Sequence, residues 1–321
     1  MNTMKKPLLN TLETDIEEHE KRELQRRIFM YSRDALKIAS SIEPIIVNHP
    51  RFIQGMQALD RIYQLARELD LPQGIRIIGP TGSGKTSLVD YFSKTLPKTT
   101  LFKQGLGIVF IRLDASPTRH QLVRNLLLAY NYPFATTSVK AIDIKTQVLC
   151  DIITQKGTRI LAIDESHHLA FSKSRRYSKS SQNDVTDCLH HLMDQTGVGL
   201  FLMGTKELDD LEDLDAHLAS RVSTRIELTD YVTLTPEWYG LLKAFVNESK
   251  QFDLSIILTE NYGALIHAAT GGNLRNLKRL LTEVVLIGVD VQLEAITQST
   301  FHLAHERIYG EGNDRVNPFT K

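Results

Sequence analysis

A glycine-rich run between an apolar stretch and a helical stretch limits what this chain can fold into more than any other feature. The run is Gly79-Pro80-Thr81-Gly82-Ser83-Gly84-Lys85-Thr86-Ser87. Apolar residues 75–78 precede it, and Leu88, Val89 and Phe92 follow at helical spacing. Glycines let backbone N–H groups curl around phosphates, and the N-terminus of a helix adds a favourable dipole. The pattern predicts a strand, a phosphate-binding loop and a helix.

Two side chains of this run add chemistry of their own. Lys85 is placed to reach the β- and γ-phosphates of a nucleotide, and the Thr86 hydroxyl is placed to bind Mg²⁺. A glycine turn without function is the alternative interpretation. The complete motif between a strand and a helix favours the nucleotide site, so we predict that residues 79–87 bind a nucleotide with Mg²⁺.

Short apolar runs alternate with helical stretches from Gly74 to about Leu228. The runs are IRIIG, GIVFIRL, RILAID, VGLFLMG and TRIEL. Continuous apolar strands separated by helices predict a parallel sheet covered by helices on both faces. After residue 229 the strands stop: Thr235 caps a helix that Pro236 opens, and further helices are predicted from about residues 260, 273 and 292. The predicted fold class is α/β, a P-loop core followed by helices.

Composition and charge divide the chain and restrict its class. We expect an N-terminal charged helical arm (1–45), an α/β core that contains the phosphate loop (46–229), a helical lid (230–308) and a flexible tail (309–321). No run of eighteen apolar residues and no secretory signal occur, and two cysteines are too few for a disulfide framework. The expected location is therefore cytoplasmic, without a membrane partner. A formal net charge of zero excludes a globally basic DNA coat but leaves local basic patches.

Residues 159–169, RILAIDESHHL, place two acids and two histidines within five positions. Beside a phosphate loop, Asp164 at a strand end is expected to hold Mg²⁺ through water, and Glu165 to orient the attacking water as a base. A metal cluster is the alternative. We discount it because the adjacent His167 and His168 are expected to point in different directions, and we expect them to shape the turn after the strand.

Later stretches add three kinds of polar residue. Thr205 follows the strand VGLFLMG and would lie beside the γ-phosphate if that strand adjoins the strand of Asp164. Arg221 and Arg225 are candidates for an arginine finger, which contacts the γ-phosphate bound by a neighbouring subunit. The alternative is that both are ordinary surface arginines. Arg275, near the start of a helix in TGGNLRNLKRLL, would sense phosphate from a lid.

The order of phosphate loop, Asp-Glu strand, polar strand tip, Ser-Arg and Gly-Asn-Leu-Arg resembles AAA+ ATPases. More narrowly, roughly residues 45–321 resemble the TniB/TnsC family of transposition regulators, through NHPRF, GPTGSGKTSL, LAIDESHHL, LFLMGTKEL, LASRV and the terminal NPF. The resemblance implies an ATP-dependent homo-oligomer on double-stranded DNA that links target-site selection to a transposase. A target-selection protein is the further implied partner, with a TniQ-type adaptor and the guide-RNA complex of a CRISPR-associated transposon as one candidate.

The resemblance also implies roles for single residues. It assigns nucleotide and Mg²⁺ binding to Lys85 and Thr86, hydrolysis to Asp164 and Glu165, the first sensor to Thr205, the finger to Arg221 and the second sensor to Arg275. Many AAA+ proteins have asparagine where this chain has Thr205, and Arg225 competes with Arg221 for the finger. Two other functions stay open: a helicase loader or initiator-type ATPase, and an ATP-locked, non-catalytic clamp or scaffold.

Three basic stretches are candidates for contacting DNA. They contain Lys94, Lys98 and Lys103; Lys173, Arg175, Arg176 and Lys179; and Arg119 with His120. Contacts to phosphates need charge rather than base-reading geometry. For each stretch the alternative is a solvated basic loop.

Overall fold

The structure is a computed structural model that describes residues 31–66, 68, 72–97, 106–135, 141–169, 179–310 and 316–320. The strands are β1 (Gly74–Ile78), β2 (Ile108–Arg112), β3 (Ile160–Asp164), β4 (Gly199–Gly204) and β5 (Thr224–Glu227). The helices are α1 (Arg33–Ala39), α2 (Pro50–Leu65), α3 (Lys85–Thr95), α4 (Arg119–Ala129), α5 (Ile142–Gln155), α6 (Lys179–Thr196), α7 (Leu211–Leu214), α8 (Ala216–Arg221), α9 (Pro236–Glu248), α10 (Glu260–Thr270), α11 (Leu274–Asp290) and α12 (Gln298–Tyr309). Short 3₁₀ helices span Ser166–Leu169, Lys206–Asp210 and Ser255–Leu258.

The five strands form one parallel sheet in the order β2-β3-β4-β1-β5. The predicted parallel sheet is confirmed, and each predicted apolar run contains one of the strands. Because the strands are parallel, the carboxyl ends of β1, β4 and β3 meet at the same edge, side by side. The segments that follow these three strands therefore lie next to one another, after Ile78, Gly204 and Asp164.

Alternate residues of the strands supply two separate cores. On one face, Ile75 and Ile77 of β1 pack with apolar side chains of α2 and α3. On the other face, Leu161 and Ile163 of β3 pack with apolar side chains of α4, α5 and α6. Successive side chains of a strand point to opposite faces, so strands that are apolar throughout need helices on both sides.

A third core joins α1 to the helices after residue 235. Its largest buried side chains include Trp238, Phe245 and Phe301, and Ala35 and Ile42 are buried against them. The stretch 31–45 is the described part of the predicted arm, and its apolar side chains pack with the C-terminal helices. The division into arm, core and lid stays a prediction.

The structure corrects three details of the C-terminal part. The helix predicted from about residue 292 begins at Gln298, after a turn, with Thr297 in a capping box. The prediction of a flexible tail is wrong for residues 316–320, because Phe319 is buried and stacks on Phe301 with ring centroids 5.1 Å apart. The side chain of Thr235 occupies the N-cap position of α9 but makes no capping hydrogen bond. None of the helices in the described ranges is both long and apolar enough to cross a lipid bilayer.

Candidate functional site

A cavity of about 650 Å³ opens at the edge of the sheet where β1, β4 and β3 end. Cavities of about 300–1,000 Å³ are typical of small-molecule sites. The sequence-predicted residues that line it are residues 81–87, Asp164, Glu165, Thr205 and Arg275. The structure thus brings together side chains that are up to about 190 positions apart in the chain.

The glycine-rich loop has the backbone that its sequence predicts. Gly82 and Gly84 have φ angles of 89° and 97°, in the left-handed region that glycine adopts at little cost. Lys85, which begins α3, is buried, and its Nζ donates to the carbonyl oxygens of Gly79 and Pro80 at 2.7 and 2.8 Å. The lysine is therefore held directly beneath the loop that would surround phosphates.

Lys85 lies close to two carboxylates, so this part of the cavity offers a positive charge for a phosphate and oxygen ligands for a cation. Burial lowers the pKa of Lys85, while the carboxylates of Asp164 and Glu165 act in the opposite direction. The Thr86 hydroxyl donates to Asp164 Oδ2 at 3.1 Å, so a hydroxyl and a carboxylate oxygen lie side by side. Oxygen atoms are the ligands that Mg²⁺ prefers, and this pair fits its chemistry.

Glu165 is held by an arginine that sequence reasoning missed. Its Oε1 accepts from Arg112 Nη2 at 2.6 Å, because the register of β2 and β3 places Arg112 opposite Asp164. Burial acts to raise the pKa of Glu165, but Arg112 and the two following histidines outweigh it and lower the pKa. The carboxylate is therefore ionised and oriented toward Arg112. The arginine at the end of GIVFIRL was the available signal, but its meaning depends on the strand order.

The two histidines after Glu165 do not diverge, and the expectation that they would is wrong. The rings of His167 and His168 have centroids 4.3 Å apart, in the 3₁₀ helix that follows β3. Ligand atoms of Glu165, His167 and His168 all lie within 4.8 Å of one another. The reason is local: Glu165 has a left-handed φ of 56°, which turns the chain back directly after the strand.

Thr205 lies where the sequence places it. It follows β4, and β4 pairs directly with β3, which carries Asp164 at its end. Hydrogen bonding by the Thr205 side chain lowers the pKa of Glu207, and Thr205 lines the cavity.

The start of α11 contacts the glycine-rich loop directly. The backbone N–H of Arg275 donates to the Gly82 carbonyl at 3.2 Å. The buried Asn273, which the sequence analysis missed, donates through Nδ2 to the Thr81 carbonyl at 3.0 Å and to Asp230 at 2.9 Å. Its position in Gly-Asn-Leu-Arg was visible in the sequence, but its contact with a loop 192 residues away was not.

A mainly apolar wall completes the cavity and was also missed. It contains residues 45–47, His49 and Leu274. Burial lowers the pKa of His49 to about 4, so its ring is neutral at pH 7, and Nδ1 accepts from Phe52 N at the start of α2. The signal was the stretch IIVNHPRF, which indicated only an extended entry to a helix. Such a wall suits a flat apolar group such as a nucleobase.

The two candidate finger arginines lie outside the lining of this cavity and differ in their contacts. Arg221, at the end of α8, pairs with Asp194. Arg225, on the edge strand β5, makes a bidentate contact with Asp209 at 2.9 and 3.0 Å. A third nitrogen of Arg225 donates one hydrogen bond to Glu227 at 3.0 Å. Arg225 is therefore more firmly bound within its own chain.

The candidate DNA contacts are only partly described. Lys94 pairs with Asp90 at 2.6 Å, and Arg119 pairs with Asp143 at 2.8 Å, so nearby acids reduce the charge of both sites. Lys179 begins α6, and its side chain is not described. His120 follows Arg119 in α4. Five other candidates lie outside the described parts of the chain: Lys98, Lys103, Lys173, Arg175 and Arg176.

Comparisons with known proteins concern the family and the fold. A family model described as "Bacterial TniB protein" matches residues 37–231, which is more than half of the chain. No curated protein sequence matches.

Solved structures establish the fold. The ORC1 protein of Aeropyrum pernix in complex with DNA is similar over 83% of this chain and 67% of its own, with 17% identity and a TM-score of 0.59. The ORC2 protein of the same organism, in ADPNP-ADP complexes, is similar over 80% and 67%, with 14% identity and a TM-score of 0.55. Drosophila ORC bound to DNA is similar over 88% and 69%, with 13% identity and a TM-score of 0.54. At these identities the likeness shows the fold alone, which is that of AAA+ ATPases.

Proposed function

The chain belongs to the TniB family, and from this premise we propose that it is an ATP-dependent, DNA-binding oligomer that regulates transposition. It would link the selection of a target site to the recruitment of a transposase. The observation that carries the proposal is the single cavity in which a phosphate loop, Asp164, Glu165 and Arg275 converge on an AAA+ fold.

ATP would bind with its phosphates in the loop and its base against the apolar wall. Lys85 would leave the carbonyl groups of the loop and contact the β- and γ-phosphates with its charge. The loop's N–H groups and the N-terminus of α3 would add donors and a dipole. Arg275 would contact phosphate from the side of α11, because it already adjoins Gly82.

Hydrolysis would depend on release of Glu165. In the structure its carboxylate accepts from Arg112, and it must turn from that contact to take a proton from the attacking water. Thr86 and Asp164 would hold Mg²⁺, which supplies charge that stabilises the transferring phosphoryl group. Thr205 would position the γ-phosphate with its hydroxyl.

The finger would act between subunits. Arg221 lies outside the cavity of its own chain, as an arginine that serves a neighbouring site should. We therefore propose a homo-oligomer in which Arg221 leaves Asp194 and contacts the neighbour's γ-phosphate. Arg225 is the second candidate.

Double-stranded DNA, a transposase and a target-selection protein are the proposed partners. The DNA contact would be mainly electrostatic, through Lys or Arg side chains of the three basic stretches, since phosphates need charge alone. Affinity should then fall steeply with salt and differ little between unrelated duplexes. A strong preference for one sequence at fixed salt would contradict this.

A helicase loader or initiator-type ATPase is a second candidate function, because the similar solved structures are ORC proteins bound to nucleotide or DNA. Pull-down separates the two: a regulator of transposition retains a transposase, and a loader retains a hexameric helicase. An ATP-locked clamp is a third candidate, and Glu165 argues against it because a pure lock needs no positioned base.

The decisive test mixes two inactive variants, Arg221→Ala and Lys85→Ala. Where an intact phosphate loop of one subunit meets an intact Arg221 of the next, ATPase activity should partly return. The matched control replaces Arg221→Ala by Arg225→Ala in the same mixture. A mixture that stays inactive, with both variants folded and soluble, would show that Arg221 is not the finger.

A further inference from the structure

Glu165, His167 and His168 form a compact group of metal-binding side chains beside the proposed hydrolytic site. Their ligand atoms all lie within 4.8 Å of one another, and His167 Nδ1 is 3.4 Å from Glu165 Oε2. In the described parts of the chain, this is the one group of three or more histidine, cysteine, aspartate or glutamate side chains that meets this distance criterion.

The local backbone fixes this arrangement. The Ser166 hydroxyl donates to the Ile163 carbonyl at 2.7 Å, and the His168 N–H donates to the Glu165 carbonyl at 3.0 Å. Gly204 packs so closely that an added Cβ would meet the His167 backbone N–H at 3.0 Å. The turn after β3 is therefore held from both sides, and the side chains that it carries are positioned before any ligand arrives.

We propose that Glu165, His167 and His168 bind one zinc ion, and that the bound zinc inhibits ATP hydrolysis by holding Glu165. Two imidazole nitrogens and a carboxylate oxygen are a usual set of three protein ligands for zinc, with the fourth position left to water. Mg²⁺ requires oxygen ligands and would not compete for the two histidines. The inhibitory half rests on the proposed function; the binding half does not.

The distances fit this ion. Two ligands of a tetrahedral zinc at about 2.0–2.1 Å are roughly 3.3–3.4 Å apart, and the contact of His167 with Glu165 already has that length. Small rotations of the His168 ring and the carboxylate would bring the third ligand into place. Arg112 contacts Oε1 and leaves Oε2 for the metal, so it can orient the carboxylate as outer-shell partners of zinc ligands do.

Inhibition follows from the role proposed for Glu165. A carboxylate bound to zinc is a poor base, and it cannot turn toward a water beside the γ-phosphate. Zinc at this place would therefore keep ATP bound and unhydrolysed, and an ATP-dependent assembly would persist. The ion would regulate turnover without blocking the phosphate loop.

The binding half is tested with nucleotide-free protein by dialysis against zinc and metal analysis. We expect one zinc per chain, and a loss of affinity of about ten-fold or more in His168→Gln. His168→Cys keeps a zinc ligand and should bind nearly as well as the unchanged chain. The matched control is His302→Gln, which removes a histidine that contacts Glu306 elsewhere. Equal zinc binding by His168→Gln and the unchanged chain, with both folded by circular dichroism, overturns the site.

The inhibitory half is tested by adding zinc to the ATPase reaction in excess Mg²⁺. Zinc should inhibit the unchanged chain and His302→Gln, a zinc-selective chelator should restore the rate, and His168→Gln should resist inhibition. Zinc binding without inhibition overturns the regulatory role while the site stands. If the chain binds zinc but has no ATPase activity, the proposed hydrolysis and its inhibition by zinc are both wrong, and the zinc site stands.

Discussion

Replacing Asn273 by alanine should destabilise the chain more than an ordinary polar substitution. The Asn273 side chain donates to the Thr81 carbonyl and to Asp230, and its Oδ1 accepts from the N–H groups of Arg275 and Asn276. It is thus at once the N-cap of α11 and the side-chain link between that helix and the phosphate loop.

The magnitude follows from these contacts. Loss of an asparagine N-cap costs about 1 kcal/mol, and each of the two bonds donated by Nδ2 contributes about 1 kcal/mol. The expected loss is therefore about 3 kcal/mol. Asn276→Ala is the matched control, because Asn276 lies one turn away and its side chain makes a single bond to the Thr270 carbonyl. Asn276→Ala should therefore cost about 1 kcal/mol.

Urea unfolding followed by circular dichroism measures both variants against the unchanged chain. Nucleotide titration should also show weaker binding for Asn273→Ala, because the carbonyl of Thr81 loses its donor and the loop is less well ordered. Asn273→Asp keeps a capping acceptor but places two carboxylates together, so it should still be destabilised at pH 7. If Asn273→Ala costs no more than Asn276→Ala, the reasoning about this link is refuted.

Three further predictions concern the site itself. Lys85→Ala should abolish nucleotide binding, because the positive charge that contacts the phosphates is removed. Unchanged affinity for a fluorescent nucleotide would contradict this. Glu165→Gln should keep ATP binding but slow hydrolysis by roughly two orders of magnitude, and near-normal turnover would place the base elsewhere. Because Arg112 lowers the pKa of Glu165, Arg112→Ala should raise it and move the acid limb of the pH–rate profile to higher pH; a fixed limb would contradict the role of this contact.

The local parts of the fold were predictable because their signals are local. An apolar run of five residues followed by a glycine-rich turn indicates a strand whatever lies elsewhere, and β1 and α3 lie where this pattern predicts. The convergence of Asp164 and Thr205 was also predictable, since parallel strands end at one edge. What remained conditional was the strand order, and β4 indeed adjoins β3.

Contacts between distant segments were not predictable. Periodicity shows which face of an element is buried, but it does not name the partner, so the packing of Ala35 against the C-terminal helices was missed. The contact of Arg112 with Glu165 depends on register, and that of Asn273 with Thr81 depends on how α11 meets the loop. The prediction of a flexible tail rested on its polar composition. The composition did not show that one aromatic residue, Phe319, is buried against Phe301.

The choice between the two candidate finger arginines depends on the contacts within its own chain that each would lose. Arg225 contacts Asp209 with two nitrogens and Glu227 with a third, so its transfer to a neighbouring subunit would break the charged hydrogen bonds of all three nitrogens. Arg221 has a single acidic partner, Asp194, whose side chain is half exposed. A partly exposed pair of this kind contributes about 0–1 kcal/mol, whereas a γ-phosphate offers a stronger and more highly charged acceptor. In the proposed oligomer, moving Arg221 to a neighbour's nucleotide would therefore cost little, which is why the proposal gives the finger role to Arg221 rather than to Arg225.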